Sequence, residues 1–110
     1  MIAVKNEREL NLMRQACKIT AAARALAGEM VRPGVTTKQI DKAVYEYIVA
    51  QGAKPSFLGY NGFPASTCIS VNNTVIHGIP GGYVLKEVQP VDQFSHSVHV
   101  EVVSMLQKEK

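Results

Sequence analysis

The chain has 110 residues, of which 46% are hydrophobic, and a formal net charge of +3 at pH 7, as expected for one compact domain or one lobe of a larger one. The small basic excess forms no basic block, so the composition predicts no specific nucleic-acid partner. No apolar run approaches the roughly 18 residues that span a bilayer, and the N-terminus lacks the apolar core of a signal peptide, so no membrane association is expected.

The first helix is predicted over residues 7–31. Asn6 and Glu9 have the spacing of a capping box, in which each side chain bonds the backbone of the other residue. Pro33 ends the helix, because the residue before a proline is disfavoured in helical conformation. The buried stripe is expected to consist of apolar residues at steps of three and four: Leu10, Met13, Cys17 and Ala21.

The second helix is predicted to begin at Thr36, because Thr36 and Gln39 repeat the capping spacing. Gly52 supplies its end. Its buried face is expected to consist of Ile40, Ala43, Val44, Tyr47 and Ile48.

The two cysteines, Cys17 and Cys68, are far apart in the sequence and belong to no CxxC motif. A disulfide framework is therefore not expected, and a reducing cytoplasm is the predicted location. Cys17 is interpreted as a small core residue of the first helix.

A loop rich in glycine and aromatic residues begins at residue 55, with the sequence PSFLGYNGFPAS. Exposed rings forgo the gain of burial, so we expect them to pack on the core or on a ligand. After this loop, residues 67–71 and 74–77 are two short β-rich runs joined by Asn72 and Asn73. Because asparagine tolerates positive φ, these runs predict a β-hairpin.

The last part of the chain alternates Val98, Val100 and Val102 with His99 and Glu101. This period of two residues predicts a strand over residues 97–103, followed by a polar, frayed end with the sequence LQKEK.

His77 is the first candidate for chemistry. Its imidazole can exchange a hydrogen bond with a substrate near pH 7, and Gly78 beside it leaves room for a peptide backbone. The alternative is a histidine that is hydrogen-bonded within the fold at the end of a strand. A metal site at His96, His99 and Glu101 is not expected, because His96 would point to the opposite face of the strand.

Two stretches carry a family resemblance: KNERELNLMRQACKITAAA and VRPGVTTKQIDKAVYEYIVAQGAKPSFLGYNGFPASTCISVNNTVIHGIP. From about residue 3 to residue 86 the chain closely resembles the N-terminal part of type I methionine aminopeptidases. The resemblance implies the α/β (α+β) class and the N-terminal half of the pita-bread fold. It also implies removal of the initiator methionine from nascent proteins, so N-terminal methionyl peptides, and the ribosome that presents them, are the expected partners.

The resemblance also implies site residues. His77 matches a histidine that hydrogen-bonds the substrate near the scissile peptide bond, and is the expected catalytic residue. Tyr60 and Cys68 match positions that line the pocket for the methionine side chain. Phe63 stands where many members have tyrosine, and Phe57 where bacterial members often have cysteine. Both rings keep that pocket apolar, and aromatic faces accept a thioether well.

The resemblance ends after residue 86, so residues 1–86 are expected to form one lobe and 87–110 a divergent tail. The family uses two divalent metal ions of the Co, Mn, Fe or Zn class. Phe94 and Met105 stand at its two aspartate ligand positions, and its other ligands belong to a second half that these 110 residues do not include. We therefore expect no bound metal and little catalysis. The alternatives are a frameshifted or alternatively spliced aminopeptidase, a non-catalytic peptide-binding remnant, and a fragment without function.

Overall fold

The computed structural model describes residues 4–72, 74, 76–86, 98–102 and 104–106, with the backbone alone in the last two ranges. Two helices precede a set of short strands, which gives the mixed helix and strand content that the sequence predicts. In chain order the elements are α1 (Glu7–Met30), α2 (Thr37–Ala50), β1 (Ala53–Pro55), a 3-10 turn (Tyr60–Gly62), β2 (Thr67–Val71), β3 (Val98–Val102) and β4 (Ser104–Leu106).

The strands form two antiparallel pairs, and each pair joins parts of the chain that are distant in sequence. β2 pairs with β3, with Ile69 opposite Val100. β1 pairs with β4, with Ala53 opposite Leu106. A strand therefore lies where the alternating valines predict one. The prediction of a frayed end from Leu106 onward is wrong for Leu106, which is part of β4, while residues 107–110 lie outside the described residues.

The capping box of α1 is confirmed: the Glu9 amide donates to Asn6 Oδ1 (2.8 Å), and the Asn6 amide donates to Glu9 Oε1 (3.1 Å). The predicted buried stripe is wrong for three of its four residues, since only Leu10 is half-buried. Met13 is 46% exposed, and Cys17 and Ala21 are also exposed, whereas Ala23 and Ala27 are fully buried. Because α1 has apolar residues on more than one face, their spacing indicates that a stripe exists without deciding which face meets α2.

The predictions for α2 are confirmed. The Gln39 amide donates to Thr36 Oγ1 (3.1 Å) and the Thr36 amide to Gln39 Oε1 (2.8 Å), so the predicted capping box is present. The helix ends at Ala50, just before the Gly52 turn. Ile40, Val44 and Ile48 are fully buried in its apolar face, with Ala43 and Tyr47 half-buried beside them.

The β-hairpin is a wrong prediction. Asn72 does adopt positive φ (54°), and the Thr74 amide donates to the Val71 carbonyl (3.1 Å), so the chain turns as expected. None of the described residues of the second run forms a strand, and β2 pairs with β3 instead. At the end of this run the φ of 57° at His77 also breaks the extended backbone that a strand requires.

The core lies where the two helices meet β1 and β2. Its side chains are apolar and almost completely buried. Each large one stabilises the folded state by roughly 1.5–3 kcal/mol compared with the same side chain exposed to water. Among the described residues, neither helix is long and apolar enough to cross a bilayer. The core cluster consists of Ala23, Ala27, Ile40, Val44, Ile48, Ala53, Ile69 and Leu85.

Candidate functional site

The segment directly after His77, residues 78–83, is the strap of the candidate site. Its first residue, Gly78, lies on the backbone of β2: the Gly78 carbonyl accepts from the Ile69 amide (2.8 Å), and the Gly78 amide donates to Ser70 Oγ (3.2 Å). A Cβ at Gly78 would lie 2.7 Å from the carbonyl carbon of Ile69 and 2.9 Å from Ser70 Cα. The strap can therefore approach β2 this closely only with glycine. Contact of Gly78 with a peptide stays a prediction.

The other end of the strap is bound to the N-terminus of α2. The first amides of a helix have no partner within the helix, and here the Lys38 amide donates to the Gly81 carbonyl (2.9 Å) and the Thr37 amide to the Tyr83 carbonyl (3.2 Å). The Thr37 hydroxyl accepts from the Gly81 amide (2.8 Å) and donates to the Gly81 carbonyl (3.2 Å). Both ends of the strap are thus anchored by hydrogen bonds.

His77 lies immediately before the strap and is exposed, with φ of 57°. The left-handed region costs a residue with a Cβ about 1–2 kcal/mol. Such a conformation persists only where the surrounding structure imposes it, and strained residues of this kind concentrate at functional sites. No hydrogen bond joins the imidazole to another described residue, and no described strand ends at His77, so the structure gives no support to the strand-end alternative.

The aromatic loop is closed by its own rings. Phe57 and Phe63 pack edge to face, with ring centroids 6.5 Å apart and planes at 77°. Their contact spans a tight turn, in which the Gly59 amide donates to the Phe63 carbonyl (2.9 Å). Tyr60, at the tip of the turn, is 70% exposed. Two of the predicted pocket rings are therefore half-buried against each other, while the third is open to a ligand.

Cys68 is buried in β2, at 5% exposure. Alternation along the strand directs its side chain to the face opposite that of Ile69. A cleft of about 300 Å³ lies on the Ile69 side, beneath the strap. None of the five predicted site residues is among the described residues that line this cleft, whereas three strap residues, Gly78, Ile79 and Tyr83, do line it. Its lining consists of Thr37, Ile69, Val71, Asn72, Thr74, Gly78, Ile79 and Tyr83.

A carboxylate joins α2 to the beginning of β2. Asp41 Oδ1 accepts from the amides of Ser66 (3.0 Å) and Thr67 (2.8 Å) and from the Thr67 hydroxyl (2.6 Å). No local sequence pattern indicates this role, because the partners are 25 and 26 residues away from Asp41.

The described part of the chain holds no cluster of three or more His, Cys, Asp or Glu side chains that could bind a metal ion. These residues do not fit the two ions that the resemblance implies. Phe94 and His96 lie outside the described residues, as do the side chains of His99, Glu101 and Met105.

Comparison with known proteins agrees with the resemblance. The sequence profile of metallopeptidase family M24 matches residues 11–101. A methionine aminopeptidase of Clostridium perfringens is 56% identical over 87 residues, which are 79% of this chain and 35% of that protein. Methionine aminopeptidase 1 of Bacillus subtilis is 47% identical over 87 residues, which are again 79% of this chain and 35% of that protein. The crystal structure of methionine aminopeptidase from Rickettsia prowazekii matches with a TM-score of 0.85 at 33% identity, over 96% of this chain and 40% of that one.

The chain spans about a third of the length of these curated relatives. The match in structure covers 96% of the chain and so extends further than the 79% covered by sequence similarity. The division into a lobe of residues 1–86 and a separate tail stays a prediction. On the profile match and these similarities, the chain belongs to metallopeptidase family M24 and, within it, to the methionine aminopeptidases, whose pita-bread fold it shares in part.

Proposed function

We propose that this chain binds the N-terminal methionine of nascent proteins, in the cytoplasm and close to the ribosome, as part of methionine removal. The observation that carries the proposal is His77, an exposed histidine held at positive φ between the turn after β2 and an anchored strap. Strain maintained at an exposed, chemically versatile side chain is typical of a residue that meets a substrate.

In this proposal His77 exchanges a hydrogen bond with the peptide next to the scissile bond. Tyr60 contributes an open aromatic face for the methionine side chain, since sulfur contacts with rings are favourable. Phe57 and Phe63 support the Tyr60 turn through their edge-to-face contact. Cys68 contributes an apolar wall from β2.

Hydrolysis is a separate matter. In the full-length metallopeptidases, divalent ions supply an activated water and polarise the scissile carbonyl. Because Phe94 and Met105 stand where the resemblance puts two aspartates, we assign binding and positioning to these 110 residues and no hydrolysis.

The test is a calorimetric titration of the 110-residue chain with Met-Ala-Ser. Saturable binding is expected, and Ser-Ala-Met, which has the same composition, should bind at least tenfold more weakly. His77→Ala should weaken Met-Ala-Ser binding about tenfold, the value of one good hydrogen bond. Glu46→Ala, on the exposed side of α2, should not change it. Absence of saturation, or equal binding of the two peptides, would refute the proposed binding.

The same samples then test hydrolysis. With Co²⁺, Mn²⁺, Fe²⁺ or Zn²⁺ added in turn, the chain is expected to release no methionine from Met-Ala-Ser above the rate in buffer with the ion alone. Metal-dependent release that is lost in His77→Ala would overturn the assignment of binding without hydrolysis.

A further inference from the structure

The strap after His77 is not held in place by apolar packing. Ile79, its second residue, is 62% exposed, and both Gly78 and Ile79 line the cleft beneath the strap. Pro80 has no amide hydrogen to donate. A segment that lies over a cleft has few contacts to restrain it, so hydrogen bonds at its two ends set its position.

Two buried hydroxyl groups provide the side-chain part of these anchors. Ser70 Oγ accepts from the Gly78 amide (3.2 Å), and Thr37 Oγ1 accepts from the Gly81 amide (2.8 Å) while donating to the Gly81 carbonyl (3.2 Å). Ser70 is 1% exposed and Thr37 is 3% exposed. The two hydroxyls themselves are therefore shielded from water, although the bonds are only partly buried, and a strap amide that loses its hydroxyl partner loses its side-chain acceptor.

We propose that Thr37 and Ser70 are positioning residues, which hold the strap so that His77 keeps its left-handed conformation and its direction toward the peptide. The inference rests on the proposed function, since it assigns a purpose to the His77 geometry. Ser70 fixes the residue that directly follows His77, and Thr37 fixes the strap at Gly81. A histidine restrained in this way loses less conformational freedom when the peptide binds.

Removal of the Thr37 hydroxyl should loosen the strap without unfolding the chain. The backbone amides of Thr37 and Lys38 still reach the carbonyls of Tyr83 and Gly81, so valine at position 37 removes only the side-chain anchor. The chain also offers a matched control. Thr67 is fully buried, and its hydroxyl donates to Asp41 (2.6 Å) instead of to the strap. Thr67→Val therefore also removes one hydroxyl bond of a buried threonine, in this case a bond to a carboxylate away from the strap.

The experiment compares Thr37→Val, Thr37→Ser, Ser70→Ala and Thr67→Val in the full 110-residue chain. Two-dimensional NMR records the backbone and imidazole signals of His77 and the hydrogen exchange of the Gly81 amide, and a titration gives the affinity for Met-Ala-Ser. Thr37→Val should shift the His77 signals and speed hydrogen exchange of the Gly81 amide at least tenfold. It should also lower the affinity for Met-Ala-Ser about fivefold to tenfold. Thr37→Ser should restore all three, and Ser70→Ala should move the His77 signals at least as far as Thr37→Val does.

Thr67→Val should leave the chemical shifts of His77 unchanged, even if it lowers stability. Its peptide affinity should stay within twofold of that of the parent chain. The inference would be overturned if Thr37→Val and Ser70→Ala showed the same His77 signals and the same peptide affinity as Thr67→Val. If one of the two variants does not fold, the other and Thr37→Ser decide the question. Failure of the proposed function looks different: the parent chain binds no peptide, while the His77 signals still report whether Thr37 and Ser70 hold the strap.

Discussion

His77 shares positive φ with two other non-glycine residues among those described, Asn61 (50°) and Asn72 (54°). Asparagine and histidine enter this region more readily than most residues do, but each occurrence still costs free energy. Asn61 and Asn72 lie in turns, where the change of chain direction accounts for their conformation. His77 lies between such a turn and the strap, so its conformation depends on how closely Gly78 is held against β2.

Substitution of Gly78 by alanine tests this dependence. The new Cβ would contact the Ile69 carbonyl group and Ser70 Cα, so the strap must move away from β2. We expect a loss of about 2–3 kcal/mol in the free energy of unfolding, as for overpacked sites, measured by urea denaturation. Gly82→Ala is the control, because a Cβ at Gly82 would have no heavy atom within 4 Å and the φ of Gly82 is not positive. Equal stability of the two variants would contradict the close approach.

At the scale of elements, α2 organises the site. Its apolar face joins the core through Ile40, Val44 and Ile48. Its N-terminus binds the strap through Thr37 and Lys38. The carboxylate of Asp41, one turn further on, holds the beginning of β2. One helix therefore fixes both the strand on which Gly78 lies and the segment that follows His77.

Substitution of Asp41 by alanine should separate β2 from α2. Three donors lose their shared acceptor, and hydrogen bonds to a charged group contribute about 1.5–3 kcal/mol each when they are removed singly. We expect Asp41→Ala to lower the free energy of unfolding by about 3 kcal/mol in urea denaturation. Asp41→Asn, which keeps one acceptor oxygen, should cost roughly half as much. If Asp41→Ala proves no worse than Glu46→Ala on the exposed side of the same helix, the carboxylate does not hold β2.

At the scale of the whole molecule, the two strand pairs connect the middle of the chain, residues 53–55 and 67–71, to residues 98–102 and 104–106. The Ile69 amide donates to the Gly78 carbonyl, so the backbone N–H and C=O of Ile69 point to the strap, and those of Cys68 and Ser70 point to β3. In this register, the backbone hydrogen bonds between β2 and β3 therefore fall at two residue pairs, Cys68 with Glu101 and Ser70 with His99. β2 is held on one edge by β3 and on the other by the strap, so loss of β3 should also disturb the site.

Proline substitutions in β3 test this arrangement. Glu101→Pro removes a ladder amide that faces β2, and we expect it to lower the free energy of unfolding by roughly 2–3 kcal/mol in urea denaturation. Val100→Pro is the matched control, because the Val100 amide points away from β2 and all bonds between the two strands remain. It should cost clearly less. A larger loss for Val100→Pro than for Glu101→Pro would show that the strands pair in a different register.

Much of the local structure was predictable from the sequence. Both capping boxes, the helix ends and the strand near residues 97–103 follow from interactions over two to four residues, which neighbouring side chains and the backbone determine. The family was also recognisable, because the motifs around His77 are contiguous in the sequence. The packing of Phe57 against Phe63 could be expected only in part, since the sequence required a partner for each ring without specifying it.

Tertiary structure alone decided the buried face of α1, the pairing of β2 with β3 in place of a hairpin, and the anchors of the strap. These features depend on contacts between distant residues: Thr37 and Gly81, for example, are 44 positions apart. A threonine at the beginning of a helix has the same local pattern whether its hydroxyl meets water or a strap. Only the approach of the two segments, driven by burial of the shared core, turns that hydroxyl into an anchor for the candidate site.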